Sequence, residues 1–420
     1  MSPRFAYSLL WRLALPFVSL RLLWRGRRQP GYLEQPGGRF ARWPDAPERP
    51  LIWVHAVSVG ETRAAEPLIR ALRERYPAFD VLLTQMTATG RETARSLYGQ
   101  NPNIHLAWLP YDLPEYARAF FQHFHPRVGI IMETELWPNL LHAARYAGVP
   151  VVLVNARLSE RSQRRYARWP SLSRMTLGAL DAVGAQTEGD AQRIRSIGAH
   201  TVTVTGNLKF DITPPEAQQA LAQQFRRWTR HRPVLLLAST RDGEEALLLD
   251  ACAAAGLPDD VLCVIVPRHP QRFDEVATLI ETRGLKLARR SREDEIEPDT
   301  NVWLGDSMGE MFAYYGAADV TLIGGSWLPF GGQNLIEACA VGTPVIVGPH
   351  TFNFLQVAQQ AVECGAALRA DDATAGIRAA ITLLSNDAAR THAADAGLAF
   401  AAAHRGATAR TMTLLETRIT

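Results

Sequence analysis

A carboxylate that follows a short apolar run is the first group in this sequence that could do chemistry. Glu61 closes the segment SVGE, which begins at Ser58 and follows the apolar residues 51–57. A carboxylate beyond the carboxyl end of a strand can act as a general base on an attacking hydroxyl. The spacing Ser-x-x-Glu is also a capping box, so both residues could simply begin a helix. A helix N-terminus lowers a carboxylate's pKa and weakens it as a base, whereas desolvation by a bulky acceptor raises that pKa again.

Two more carboxylates and a lysine occupy comparable positions further along the chain. Glu133 and Glu135 follow the apolar run Val128–Met132, where each could serve catalysis, cap a helix or pair with an arginine. Lys209 lies in the segment GNLKFD, and its ammonium could hold an anionic group. The alternative for Lys209 is a salt bridge to its neighbour Asp211.

Three later segments combine hydroxyls, arginines and glycines as phosphate-binding loops do. Ser239 and Arg241 lie between an apolar run and a helical pattern, where hydroxyls and backbone N–H groups can meet an anion. Pro267 and Arg268 follow the next apolar run, and a guanidinium suits phosphate geometry better than an ammonium does. Glycines in residues 324–332 allow a close approach of backbone to ligand.

The third of these segments continues into a predicted helix. Asn334 can cap that helix, and Glu337, three residues later, lies on the same helical face. There the carboxylate could accept hydrogen bonds from ribose hydroxyls. Together the three loops predict a site for a phosphate-bearing ligand.

Composition excludes several other classes of protein. The 420 residues carry a formal net charge of only +3, so no global field marks a nucleic-acid binder. The four cysteines share no C-x-x-C spacing and indicate small core residues in a reducing compartment. The sequence has no D-x-D, H-E-x-x-H, P-loop or opening G-x-G-x-x-G motif. We therefore expect neither a metal nor a cofactor.

The elements that position these residues follow from alternating strand and helix patterns. Continuous apolar runs separated by helical spacing predict parallel sheets covered on both faces. Such a sheet binds its ligands beyond the carboxyl ends of the strands. The first series of predicted strands comprises residues 51–57, 81–84, 128–132, 151–154, 182–185 and 202–205, and the second comprises 234–238, 261–266, 302–304, 320–323 and 345–347.

Two consecutive prolines, Pro214 and Pro215, separate the two series. We place the domains at residues 30–212 and 213–420, each a Rossmann-like α/β unit, with the ligand site expected in a cleft between them. The alanine-rich tail beyond Asp371 is predicted to be helical. Its last helix is a candidate for packing back onto the N-terminal domain.

The N-terminal residues 1–28 form a separate segment, predicted to be a membrane-anchoring helix. Residues 5–24 are mostly apolar, and arginines interrupt and follow them, so a cleavable signal is not expected. The longest uncharged stretch is far shorter than the ~20 residues of a spanning helix. The pattern favours an amphipathic helix in the membrane interface, with its arginines on anionic lipid. A tilted span and a helix packed on the domain are the alternatives.

Taken together, the motifs resemble one family, the 3-deoxy-D-manno-octulosonic acid (Kdo) transferases of lipopolysaccharide synthesis. The resemblance covers nearly the whole chain in order. Its motifs are HAVSVGE (55–61), TQMTATG (84–90), PYDLP (110–114), METELWPN (132–139), NARLS (155–159), TGNLKFD (205–211), PRHP (267–270), GDSMGE (305–310), GGQNLIE (331–337) and GPHTFNF (348–354).

This resemblance implies a GT-B fold and a metal-independent, inverting transfer of Kdo from CMP-Kdo to lipid IVA. The implied location is the cytoplasmic face of the inner membrane. By motif, Glu61 resembles the proton acceptor, and Glu133 and Lys209 resemble groups that stabilise the transition state. The implied contacts to CMP are Pro267, Arg268, Met308, Gly309, Glu310, Asn334 and Glu337.

Two rival functions remain at this point. The first is another enzyme of the same fold, a UDP-sugar transferase or a nucleotide-sugar epimerase, which the choice of cytidine or uridine nucleotide would discriminate. The second is a non-catalytic membrane-binding scaffold. The joint presence of Glu61, Glu133, Lys209 and Arg268 argues against the scaffold.

Overall fold

The structure is a computed structural model, and it describes residues 2–419. Its contacts divide the chain into two compact units. The first comprises Met1–Asp211 with His404–Thr420, and the second comprises Ile212–Ala403.

The first unit contains a parallel seven-stranded sheet with helices between the strands. Its strands are β1 (Leu51–His55), β2 (Asp80–Gln85), β3 (Ile104–Trp108), β4 (Val128–Met132), β5 (Val151–Ala156), β6 (Ala182–Ala185) and β7 (Val202–Val204). Its helices are α1 (Pro3–Arg28), α2 (Val59–Ala64), α3 (Glu66–Arg75), α4 (Ala88–Tyr98), α5 (Pro114–Phe124), α6 (Pro138–Tyr146), α7 (Glu160–Ala167), α8 (Pro170–Leu177) and α9 (Glu188–Ser196). The strand order β3-β2-β1-β4-β5-β6-β7 reverses between β1 and β4. Ligands of open α/β sheets bind at such a switch point.

The second unit repeats this design with a second parallel sheet. Its strands are β8 (Val234–Thr240), β9 (Leu262–Pro267), β10 (Leu287–Arg289), β11 (Val302–Leu304), β12 (Val320–Ile323), β13 (Val345–Val347) and β14 (Ala367–Arg369). Its helices are α10 (Glu216–Trp228), α11 (Glu244–Ala255), α12 (Phe273–Thr282), α13 (Met311–Ala317), α14 (Ile336–Ala340), α15 (Leu355–Glu363), α16 (Ala373–Ser385) and α17 (Asp387–His404). The order β10-β11-β9-β8-β12-β13-β14 places the switch point between β8 and β12.

The last helix, α18 (Ala407–Ile419), returns to the first unit. Its Met412, Leu415 and Ile419 join the core formed by β1, β2, β4 and α3. The Asp211 carboxylate accepts hydrogen bonds from the backbone N–H groups of Gly406 (2.8 Å) and Thr408 (2.5 Å), which fixes the start of this helix.

Two differences from the predicted elements have a local cause. The strands β3, β10 and β14 had not been predicted, and all three lie at or next to the edge of a sheet, where side chains are partly exposed and apolar runs are interrupted. The helical pattern after β1 is divided into α2 and α3 at Ala65. Pro67 lies in the first turn of α3, where its missing N–H is tolerated.

The N-terminal helix α1 is apolar on two sides. One side packs on the first unit: the Ser8 hydroxyl donates to Asn139 Oδ1 (3.1 Å), and the Trp11 ring lies 6.0 Å from that of Tyr111. The other side consists of exposed large apolar side chains at spacings of three and four. This exposed face comprises Phe5, Leu9, Leu10, Leu13, Phe17, Leu20, Leu23 and Trp24. By length and composition alone α1 could cross a membrane. Five arginines of α1 are exposed as well, namely Arg12, Arg21, Arg25, Arg27 and Arg28, and the membrane-anchoring helix stays a prediction.

Candidate active site

Glu61 is buried at the switch point of the first unit, in the helix that follows β1. The Ser58 hydroxyl caps this helix and donates to Glu61 Oε1 (2.9 Å), while the Val57 N–H donates to Oε2 (2.8 Å). The capping role that the spacing predicts is therefore present. It fixes both oxygens of the carboxylate at the carboxyl edge of the sheet.

The capping contacts do not make Glu61 an ordinary acid. Burial raises the pKa of Glu61 to about 7, and the negative charges of Glu133 and Glu135 act in the same direction. The hydrogen bonds from Val57 and Ser58 lower the pKa of Glu61, but by less than burial raises it. A carboxylate with a pKa near neutrality is suited to accept a proton at physiological pH.

Glu133 and Lys209 meet beside this carboxylate. The Lys209 ammonium lies 2.9 Å from Glu133 Oε1. Glu133, the first residue after β4, has a left-handed backbone (φ 58°), and its N–H donates to Val154 O (2.9 Å). Non-glycine residues held in this region concentrate at functional sites. The alternative of a Lys209–Asp211 salt bridge is wrong, because Lys209 pairs with Glu133 and Asp211 binds backbone N–H groups at the start of α18.

Lys209 is placed by a turn whose residues had been assigned no role from the sequence. Asn155, buried at the end of β5, accepts a hydrogen bond at Oδ1 from the Leu208 N–H (3.0 Å), and Asn207 Oδ1 accepts one from the Lys209 N–H (3.0 Å). Gly206 has φ 88° and contacts the start of α18. These contacts join the lysine to β5 and to the last helix.

Glu135 belongs to a separate cavity of about 320 Å³. Burial, then the charge of Glu133, raises the pKa of Glu135. The cavity is lined by residues of α1, of the turn after β4 and of α7. They are Tyr7, Thr134, Glu135, Leu136, Trp137, Leu158, Ser162, Arg165 and Tyr166. Glu135 therefore lines this cavity, and its charge acts on the pKa of Glu61.

In the second unit, the predicted phosphate loops meet at the β8/β12 switch point. Ser239 has a left-handed backbone (φ 56°), and the β8 and β9 ends are joined by a hydrogen bond from the Arg268 N–H to Thr240 O (2.9 Å). A Cβ at Gly324 would lie 2.4 Å from Ser239 O, so only glycine allows this approach. The Arg241 guanidinium lies 4.9 Å from the centre of the Phe330 ring.

Glu244 organises these loops, and the sequence had not suggested a role for it. It is fully buried and accepts hydrogen bonds from the backbone N–H groups of Arg241 (2.8 Å), Gly325 (2.6 Å), Trp327 (2.9 Å) and Leu328 (3.3 Å). One carboxylate thus ties the loop after β8 to the loop after β12. A sequence cannot easily signal this role, because three of the four bonded residues lie more than 80 positions away.

The remaining predicted contacts lie in two further loops of the second unit. Met308 is exposed, Gly309 has φ 79°, and Glu310 pairs with Arg290 (2.9 Å). Asn334 Oδ1 accepts from the Ile336 N–H (3.1 Å) at the start of α14, as capping requires.

Asn334 also donates from Nδ2 to Glu337 Oε1 (3.2 Å), which fixes that carboxylate on the same helical face. Pro267 is buried at the end of β9. Within residues 2–419, no group of three or more histidine, cysteine, aspartate or glutamate side chains is arranged to hold a metal ion.

Comparison with known proteins decides the family. Residues 34–212 match the family model of 3-deoxy-D-manno-octulosonic-acid transferase (kdotransferase), and residues 247–399 match that of glycosyl transferases group 1. The chain is 47% identical to the 3-deoxy-D-manno-octulosonic acid transferase of Bordetella pertussis, over 98% of this chain and 99% of that protein. It is 34% identical to that of Haemophilus influenzae, over 98% of both.

The chain belongs to the Kdo transferase family. The predicted resemblance is thus confirmed, and with it the prediction of a glycosyltransferase family of lipopolysaccharide biosynthesis. The GT-B fold with two Rossmann-like domains is confirmed as well. The UDP-GlcNAc 2-epimerase of Neisseria meningitidis, bound to UDP-GlcNAc, has a TM-score of 0.56 at 17% identity, over 87% of this chain and 100% of that one. That likeness concerns the fold alone.

Proposed function

We propose that this chain transfers Kdo from CMP-Kdo to lipid IVA, with inversion at the anomeric carbon and without a metal ion. The observation that carries the proposal is the group formed by Glu61, Glu133 and Lys209. A buried carboxylate with a pKa of about 7 lies beside an ion pair at the switch point of the first unit. Family membership supports the choice of Kdo as the transferred sugar.

In the proposed step, a hydroxyl of the acceptor loses its proton to Glu61 as its oxygen attacks the anomeric carbon. The new C–O bond forms on the face opposite the phosphate, the C–O bond to CMP breaks, and CMP leaves with the electron pair. The Lys209 ammonium offsets the charge of Glu133 and can stabilise charge that develops during the transfer.

CMP leaves with a single phosphate, so arginines and helix N-termini can balance its charge. We assign this role to the loops of Ser239, Arg241 and Arg268. Pro267, the loop of Met308, Gly309 and Glu310, and the pair of Asn334 and Glu337 are proposed to bind the nucleoside. The carboxylate of Glu337 is suited to ribose hydroxyls.

The lipid acceptor explains the exposed face of α1. Eight large apolar side chains exposed to water favour contact with a lipid surface, and the basic last turn with Arg25, Arg27 and Arg28 favours anionic headgroups. We propose that α1 places the first unit on the cytoplasmic face of the inner membrane.

The deciding experiment is incubation of the protein with CMP-Kdo and lipid IVA, followed by mass spectrometry of the lipid. The proposal expects a mass increase of one or more Kdo residues and no product with UDP-sugars. Tighter binding of uridine than of cytidine nucleotides, with no Kdo transfer, would refute it in favour of a UDP-sugar enzyme.

A further inference from the structure

A second pocket of the first unit, which we call the basic pocket, lies apart from the cavity at Glu135. Its volume is about 350 Å³, within the usual range of ligand sites of about 300–1,000 Å³. It is formed where α1 ends at Arg28, where the turn Pro30–Leu33 follows, and where α4 begins at Ala88 and Thr89. Arg91 and Arg95 of α4 also line it.

Arg91 is a buried cation that lacks a full set of partners. Its side chain is only 6% exposed, and its Nη2 donates to Gln35 Oε1 (2.9 Å). Its Nε and Nη1 atoms are buried and have no hydrogen-bond partner within residues 2–419. Both Arg91 and Arg39 lie over the ring of Trp108, at 4.8 and 3.8 Å from its centre. Burying a cation is unfavourable unless an anion and hydrogen bonds compensate for it.

The acids near the basic pocket do not supply that compensation. Glu34 is paired with Arg95, and Glu92 is exposed at the rim. Burial and the positive charges of Arg95 and Arg39 lower the pKa of Arg91 to about 10, against the smaller effect of Glu34. In α4, an 11-residue helix, the Thr87 hydroxyl accepts from the Gly90 N–H (3.1 Å), whereas the N–H groups of Ala88 and Thr89, which line the pocket, have no partner inside the helix. An anion would satisfy both features.

The surroundings indicate where that anion comes from. Trp24 and Leu33 are exposed large apolar side chains beside the pocket, and the Arg28 guanidinium lies 4.4 Å from the centre of the Trp24 ring. Trp24 belongs to the exposed face of α1. Aromatic and arginine side chains that adjoin an apolar face are typical of the headgroup level of a membrane.

The basic pocket is also tied to the catalytic carboxylate. The Thr87 hydroxyl donates to Val57 O (2.8 Å), and the N–H of Val57 donates to Glu61 Oε2 (2.8 Å). Val57 therefore contacts both Thr87, at the start of α4, where the anion would bind, and the Glu61 carboxylate. We propose that the basic pocket binds a phosphate group carried by a membrane lipid and thereby places lipid at the correct level beside Glu61. For the acceptor lipid as the source, this inference rests on the proposed function.

Thr89→Asp tests the inference without endangering the fold. Thr89 is exposed at the second position of α4, where an aspartate favours the helix but repels a phosphate. Ala217→Asp is the matched control, because it puts the same charge at the exposed second position of α10 in the other unit. Glu92→Gln removes a negative charge from the rim and should act in the opposite direction.

Two assays distinguish the two possible sources of the phosphate, the acceptor lipid and the headgroups of the surrounding membrane. In the first assay, Thr89→Asp should raise the KM for phosphorylated acceptor in neutral detergent micelles by about tenfold, with kcat within about twofold, as loss of a charge-assisted bond predicts. In the second, it should weaken cosedimentation with phosphatidylcholine vesicles containing about one-fifth phosphatidylglycerol. A change in the first assay identifies the acceptor's phosphate, and a change in the second identifies bulk lipid headgroups.

The inference is overturned if Thr89→Asp differs from Ala217→Asp by less than about twofold in both assays. It is overturned as well if Glu92→Gln weakens binding as much as Thr89→Asp does. An inactive wild-type protein would refute the proposed function alone. The vesicle assay would then decide by itself whether the basic pocket binds lipid phosphate.

Discussion

The Lys209 ammonium lies 2.9 Å from Glu133 Oε1, although 76 residues separate the two in the chain. The pair stands beside Glu61, whose pKa the charge of Glu133 raises. Lys209 offsets the Glu133 charge, so we expect that its removal raises the pKa of Glu61 further. This expectation can be measured.

The first prediction concerns the base. Glu61→Gln keeps the shape and most of the capping contacts but removes the proton acceptor, so turnover should fall by at least about 10²-fold. Glu66→Gln, the same change in the first turn of α3, is the control and should stay within about twofold of wild type. Initial rates and circular dichroism check both. Activity of Glu61→Gln within about threefold of wild type would remove Glu61 from the mechanism.

The second prediction is the pH dependence. Because Glu61 must be ionised to accept a proton, and its pKa is raised to about 7, kcat/KM should fall as the pH drops through about 7. Lys209→Met leaves Glu133 uncompensated, so the acidic limb should move to higher pH, and the rate at its plateau should fall by at least about tenfold. Glu133→Gln should move the limb to lower pH. A limb that stays in place in both variants contradicts the coupling.

The third prediction concerns the donor phosphate. Loss of a charge-assisted bond of about 1.5–3 kcal/mol means that Arg268→Ala should weaken CMP binding by about tenfold or more in calorimetry. Arg292→Ala, an exposed arginine of the same unit, serves as the control. Equal CMP affinity in the two variants would place the phosphate elsewhere.

The fourth prediction is that transfer survives excess EDTA. It follows from the single phosphate of the proposed leaving group, whose charge the arginines and helix N-termini can offset. Rates are compared before and after chelation. Activity that is lost under EDTA and restored by magnesium or manganese would show that a divalent ion takes part.

The buried strands could be predicted from the sequence because a strand covered on both faces is a continuous apolar run, as in Val128–Met132. Edge strands such as β3 lack that signal. Long-range polar contacts lack it too: the sequence offers Lys209 its neighbour Asp211 as a partner, and only the fold brings the lysine to Glu133. In the sequence, Glu244 has the pattern of an ordinary helix residue. In the structure, four backbone N–H groups donate to its carboxylate. Propensity and spacing specify elements, whereas such contacts depend on how the strands are ordered.

The last prediction concerns the exposed face of α1. Residues 2–28 cannot be deleted as an independent anchor, because Ser8 and Trp11 pack against Asn139 and Tyr111 of the first unit. A sharper change replaces Leu13, Phe17 and Leu20, which are exposed and make the face apolar, with glutamate. The replacement removes apolar burial and adds repulsion from anionic lipid, each charge amounting to about 1 kcal/mol near the surface.

This triple variant should release the protein from anionic vesicles and use bilayer-embedded acceptor poorly. It should still use detergent-solubilised acceptor at a rate within about threefold of wild type, because the substituted side chains are distant from Glu61 in the chain and point away from the packed side of α1. Trp11→Ala, on the packed side, is the contrasting control. It should lower thermal stability through lost aromatic packing, about 3–5 kcal/mol for a fully buried ring and less here, and leave vesicle binding intact. Equal loss on both acceptor forms in the triple variant would show that α1 shapes the active site, and unchanged vesicle binding would move the membrane contact to another surface of the protein.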